Sequence, residues 1–160
     1  MTDSAPWRDR PNRLPWPPML LLGSGVAAYL LGRIAPLPGL PPTLALAGWA
    51  IIAIAIALDI AAMSVMWRAR ANILPNRAAT ALVTRFPFSR SRNPIYLANA
   101  LLLVGAALAF ANPWFLLAAV IASLAMQRLA IIREEAHLAA KFGAAWLAFA
   151  ARTPRWFGPF

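Results

Sequence analysis

An all-α protein whose helices cross a membrane is predicted by three features of the sequence. It is 61% hydrophobic and only 12% charged, more apolar surface than a soluble chain of 160 residues can bury. The apolar residues gather into four runs of roughly 17 to 25 residues, the length that crosses a bilayer as a helix. The arginines crowd into segments that all fall on one side of those runs. A single membrane domain over residues 1–160 is expected. Residues 1–67 form two N-terminal spans, and 68–160 carry a loop, a helical hairpin and an amphipathic C-terminal helix.

The first run extends from Pro17 to Ala35 and the second from Thr43 to Trp67. Pro36, Pro38, Gly39, Pro41 and Pro42 punctuate the turn between them. Arginines stand before the first run, but no small-residue cleavage site follows it, so it reads as a retained span and not a signal peptide. The third run covers Pro94 to Ala111 and the fourth Pro113 to Ile132, with Asn112-Pro113 as the tight turn between them. Pro94 suits the first turn of a helix, which makes Asn93 its expected N-cap. Beyond Ile132 the fourth helix continues as REEAHLAAKF and is expected to break at Gly143. A short amphipathic tail then offers Trp146, Phe149, Trp156 and Phe157 to the interfacial layer.

Net charge is +10. Arg8, Arg10 and Arg13 precede span one; Arg68, Arg70, Arg77, Arg85, Arg90 and Arg92 fill the long connection after span two; Arg133, Lys141, Arg152 and Arg155 follow span four. Only Arg33 lies near the opposite turns. The positive-inside rule then places both termini and the long loop in the cytoplasm. Charge distributed along a membrane face favours anionic lipid headgroups over nucleic acid as partners. Cysteine is absent, which excludes disulfide and thiol chemistry, and the single His137 cannot seed a metal cluster.

Acidic residues are scarce, five in all, and two of them, Glu134 and Glu135, stand together where span four should leave the membrane. No lysine or arginine lies three or four positions from either one. Their cation must come from another segment or from a ligand. A second polar group lies deeper. Asp59, Asn99, Gln127 and Arg128 fall roughly 6 to 12 Å inside their spans at about 1.5 Å per residue. Asp59 and Arg128 form either a structural ion pair or, with Asn99, a wall of a substrate pocket.

The segments on either side of the hairpin together resemble a known superfamily. LVT-x-x-P-F-x-x-S-RNP-x-Y (82–96), then EE-x-x-L-x-x-x-FG (134–143), then PRW (154–156) are similar to the isoprenylcysteine carboxyl methyltransferases and phospholipid methyltransferases. The resemblance implies S-adenosyl-L-methionine bound at the cytoplasmic face. By position, Thr80, Ala81, Leu82 and Val83 correspond to the loop along the cofactor. Phe88 takes a place usually held by tyrosine. Asn93, Pro94, Ile95 and Tyr96 correspond to the His/Asn-Pro-x-Tyr motif, and Glu134 to the glutamate that contacts the cofactor, with Glu135 completing the acidic pair. No catalytic nucleophile is required and no metal is implied.

The sequence departs from the family at Phe86, where glycine is usual, and at Phe88, Trp146 and Phe149, where tyrosines are common. In the prenylcysteine enzymes an arginine four residues before the first glutamate holds the substrate carboxylate; here that position is Ala130, with Arg128 and Arg133 nearby as substitutes. Asp59, Asn99, Arg128 and Arg133 are thus the candidate substrate-binding residues.

The activity expected from the resemblance is methyl transfer to a lipophilic or lipidated acceptor, most like protein-S-isoprenylcysteine O-methylation. Phospholipid N-methylation, an NADPH-dependent membrane reductase of related fold and a non-catalytic membrane subunit are the alternatives. Abundant alanine, arginine and proline point to a bacterial inner membrane.

Overall fold

The computed structural model describes residues 16–72 and 77–157, and Arg8, Arg10 and Arg13 lie outside them. Among the described residues the structure is helical, without strands. Helix α1 spans Trp16–Ile34, α2 Ala45–Arg68, α3 Pro94–Ala109, α4 Trp114–Met126 and α5 Ile132–Ala150. A 3-10 turn, Pro42–Leu44, leads into α2, and a π-helical stretch, Gln127–Ile131, joins α4 to α5 without interrupting the rod. Among the described residues three helical stretches are long and apolar enough to cross a membrane: Trp16–Ile34, Pro42–Arg68 and Trp114–Ala150. Helix α3 is apolar but shorter. Its 16 residues reach about 24 Å, against the ~30 Å of a hydrocarbon core, so the third expected span is the least complete.

Large apolar side chains cover the outside of the bundle. Leu22, Leu46, Ile54, Ile60, Val120 and Leu124 are all exposed, Leu46 by 81%. Outward apolar surface around a core of small residues is what lipid as solvent allows, and the molecule is an integral membrane protein of polytopic all-α architecture.

In lipid, helices associate by close packing of small residues and not by squeezing out water. Helix α2 lies against α3, α3 against α4, and α4 against α1. The α2–α3 contact brings backbones together at Gly48 and Gly105. A Cβ on Gly105 would stand 2.7 Å from Ile52 Cγ1 and 2.9 Å from the Gly48 carbonyl. Ala55, Ala62 and Ala98 continue this fully buried seam. Gly105→Leu should therefore force the helices apart. The expected loss is about 1–3 kcal/mol, read as a lower melting temperature in detergent.

The turns follow the residues that signalled them. At the α3–α4 corner the Asn112 side chain accepts the Trp114 N–H at 3.1 Å and donates to the Ala28 carbonyl at 3.2 Å, tying the hairpin to α1. Helix α2 ends in a Schellman arrangement. Ala71 N–H donates to the Met66 carbonyl and Arg70 N–H to that of Trp67, with Arg70 in the left-handed region at φ 52°. This turns the chain into the loop that leads to α3. Gly143, at φ 50° and ψ −124°, breaks α5 as expected, and residues after it fold back toward the loop.

Candidate functional site

At the loop end of the bundle the elements enclose a cavity of about 370 Å³, within the range of small-molecule sites. Loop residues Ala79, Ala81, Leu82, Val83 and Phe88 form one wall, and Arg92 to Tyr96 another. Glu134, Glu135, His137 and Leu138 of α5 face them, Trp146 and Phe149 close in from beyond Gly143, and Pro17, Pro18, Met63 and Met66 add an apolar wall from α1 and α2. All the residues matched by position to the cofactor site line this cavity except Thr80. Thr80 is exposed, and its hydroxyl donates to the Arg70 carbonyl at 2.8 Å, which ties the loop to the end of α2.

The two glutamates have different partners. Glu134 Oε1 accepts the Tyr96 phenol at 2.6 Å, a short charge-assisted bond that fixes the carboxylate against the first turn of α3. Glu135 receives Arg155 as a fork, Nε at 3.0 Å and Nη2 at 2.6 Å, and Arg92 Nη1 at 3.3 Å. The Glu135 carboxylate raises the Arg155 pKa above its ordinary value, chiefly through these hydrogen bonds. Glu135 thus takes its cations from the loop and the C-terminal tail.

Asn93 precedes α3 but makes no side-chain cap to it. Its Nδ2 donates to the Arg155 carbonyl at 3.0 Å, so the side chain that suggested a cap binds the tail instead. Trp146 and Phe149 are also not interfacial anchors. They are buried, 5.7 Å apart, with the Arg92 guanidinium 5.8 Å above the Trp146 ring. Gly143 redirects the chain and turns this pair inward, while Leu147 and Phe157 remain outside.

The expected substrate cluster is not assembled. Arg128 and Arg133 are exposed, and no Asp59–Arg128 ion pair exists among the described residues. Asp59 sits between Ala55 and Ala62 on the α2 face toward α3, and its buried Oδ1 has no hydrogen-bond partner. Asn99 is buried one turn below Tyr96. None of the four residues lines the cavity. Estimating depth from span ends cannot tell which face of a helix a residue occupies. The π-helical stretch 127–131 adds a second difficulty, because it changes the phase between α4 and α5.

Several lining residues carried no motif. His137 is 1% exposed, and its Nε2 accepts the Ala79 N–H at 3.1 Å, so it anchors the loop wall to α5. Its position three residues after Glu134 on the same helix face was the available signal. Met63 and Met66, also three apart, line the cavity from the end of α2.

A helical membrane bundle whose loop, hairpin and terminal helix close on an apolar cavity with two carboxylates defines a class of membrane enzyme, and comparison with known proteins names it. The family model for phospholipid methyltransferase matches residues 43–145, from the turn before α2 through Glu134, Glu135, His137 and Leu138 of α5, and ends just before Trp146. The chain belongs to the phospholipid methyltransferase family, within the superfamily that also holds the isoprenylcysteine carboxyl methyltransferases, and is a membrane methyltransferase. No curated protein and no solved structure matches the chain significantly.

Proposed function

We propose that the protein transfers a methyl group from S-adenosylmethionine to a lipophilic acceptor, with a phospholipid amine preferred over a prenylcysteine carboxylate. The observation that carries this reading is the cavity itself. Motif residues from the 82–96 and 134–143 segments, far apart in the chain, meet around one volume, and two carboxylates stand in its otherwise largely apolar wall. That lining suits a ligand with an ammonium, a sulfonium and flat apolar surface. Glu134, held by Tyr96, would face the cation, the backbone of Ala81 to Val83 would lie along the cofactor, and Asn93 and Pro94 would border it.

When bound, S-adenosylmethionine supplies an electrophilic methyl for in-line displacement. The protein's part is alignment and exclusion of water. Trp146, Phe149 and Leu138 shield the cavity, and the faces of Tyr96 and Phe88 stabilise a sulfonium by cation–π attraction without reacting with it. The wall of Pro17, Pro18, Met63 and Met66 is the natural place for an acyl or prenyl chain.

Preference for an amine rests on the missing arginine. Ala130, at the position that holds a carboxylate in the prenylcysteine enzymes, is fully buried in helix packing. Arg128 and Arg133 do not line the cavity; of the lining arginines, Arg92 is engaged by Glu135 and Trp146, and Arg77 is exposed. The loop end is the cytoplasmic face on the arginine distribution, with anionic lipids as neighbours.

The test is transfer of labelled methyl from S-adenosylmethionine by protein reconstituted in vesicles. Label in an aminophospholipid supports the reading. Label confined to an added prenylcysteine would reverse the acceptor preference, and NADPH oxidation without methyl transfer would replace the reaction class.

A further inference from the structure

The segment that follows α5 is tied to the walls of the cavity at several points. Arg155 grips Glu135 with two bonds, and its carbonyl accepts Asn93 Nδ2 at 3.0 Å and Ser91 Oγ at 3.4 Å. The Arg92 N–H donates to the Pro154 carbonyl at 2.9 Å. Trp156 Nε1 donates to Gln127 Oε1 at 3.0 Å, inside the π-helical stretch. Thr153, just before, is 2% exposed. One short segment therefore joins the N-terminal approach to α3, Glu135 of α5 and the irregular turn between α4 and α5. The first two are opposing walls of the cavity, and the tail joins them at residues that themselves line it, through the backbone N–H of Arg92 and the side chains of Asn93 and Glu135.

We propose that Arg155 is a positioning residue for the cofactor and that the Thr153–Trp156 segment is a strap whose closure sets how long a cofactor stays bound. Arg155 does not line the cavity. It acts through Glu135 and Asn93. A guanidinium is suited to this because its planar fork fixes both carboxylate oxygens at once, whereas an ammonium would fix only a point. With the fork in place Glu135 is directed to the tail, the Ser91–Asn93 approach is held against α5, and Arg92 is stacked over Trp146. Release of the fork frees both walls together. The proposal rests on the S-adenosylmethionine reading of the cavity.

The experiment measures S-adenosylhomocysteine affinity and release rate on full-length protein in detergent, well below the melting temperature of each variant. Arg155→Ala should speed release about tenfold and weaken affinity by a similar factor. Arg155→Lys, which keeps the charge but loses the fork, should fall between wild type and Arg155→Ala; it carries the test alone if the alanine variant does not fold. In a Glu135→Gln background the Arg155→Ala change should add less than it does alone. Lower melting temperature with wild-type release rates in both Arg155 variants would make the strap a stability element and overturn the proposal. Absence of S-adenosylhomocysteine binding by the wild type would overturn the cofactor reading as well, and that result is distinct because it appears before any substitution.

Discussion

Glu134→Gln is expected to lower affinity for S-adenosylmethionine at least about tenfold while leaving the fold intact. Glutamine keeps the size of the side chain and can still accept the Tyr96 hydroxyl, now at 2.6 Å from the carboxylate. What it loses is the negative charge. Removing one partner of a desolvated charge pair costs about 3–5 kcal/mol, and less where water reaches the site, so a tenfold loss is the lower bound. Tyr96→Phe should produce a smaller loss, since the ring face remains and only the bond that orients the carboxylate disappears. Arg133→Gln, on the exposed side of the same helix, should leave affinity unchanged. Isothermal titration of the three variants checks the set, with thermal melts to show that each is folded.

The second large effect concerns Trp146. This indole is 5% exposed, packs on Phe149 and carries the Arg92 guanidinium on its face. Truncating a buried tryptophan to alanine typically costs about 3–5 kcal/mol. Here the same change also removes a cavity wall and the platform under Arg92. Trp146→Ala should therefore lower the melting temperature and abolish measurable cofactor binding. Trp146→Phe retains an aromatic face and should keep most of both. A variant with lowered stability but wild-type affinity would place Trp146 outside the working site.

Much of this site could be read from the sequence because its parts are ordered by local rules. Proline at the start of α3, glycine at the break in α5 and the Asn112-Pro113 corner impose backbone geometry on their own segments, and the structure places α3, the kink and the corner accordingly. The motif on either side of the hairpin identified the superfamily to which the family match assigns the chain. The remainder depends on which residues meet across segments. Nothing near Glu135 in the sequence indicates that Arg155, twenty positions on, will claim it. Asn93 looked like a cap because its spacing is that of a cap, yet the tail carbonyl competes for its amide. Trp146 and Phe149 have the composition of interfacial anchors, and only the Gly143 dihedral turns them inward. Asp59 and Arg128 failed to meet because similar depth does not imply a shared face, and one irregular helical turn is enough to change the face.

The central claim is that this cavity holds S-adenosylmethionine against Glu134. The most direct measurement is a calorimetric titration of the detergent-purified protein with S-adenosylmethionine and, separately, with NADPH, repeated on Glu134→Gln. The account predicts saturable binding of S-adenosylmethionine, at least about tenfold weaker in the variant, and no binding of NADPH. Saturable NADPH binding, or S-adenosylmethionine affinity indifferent to the loss of Glu134, would contradict it.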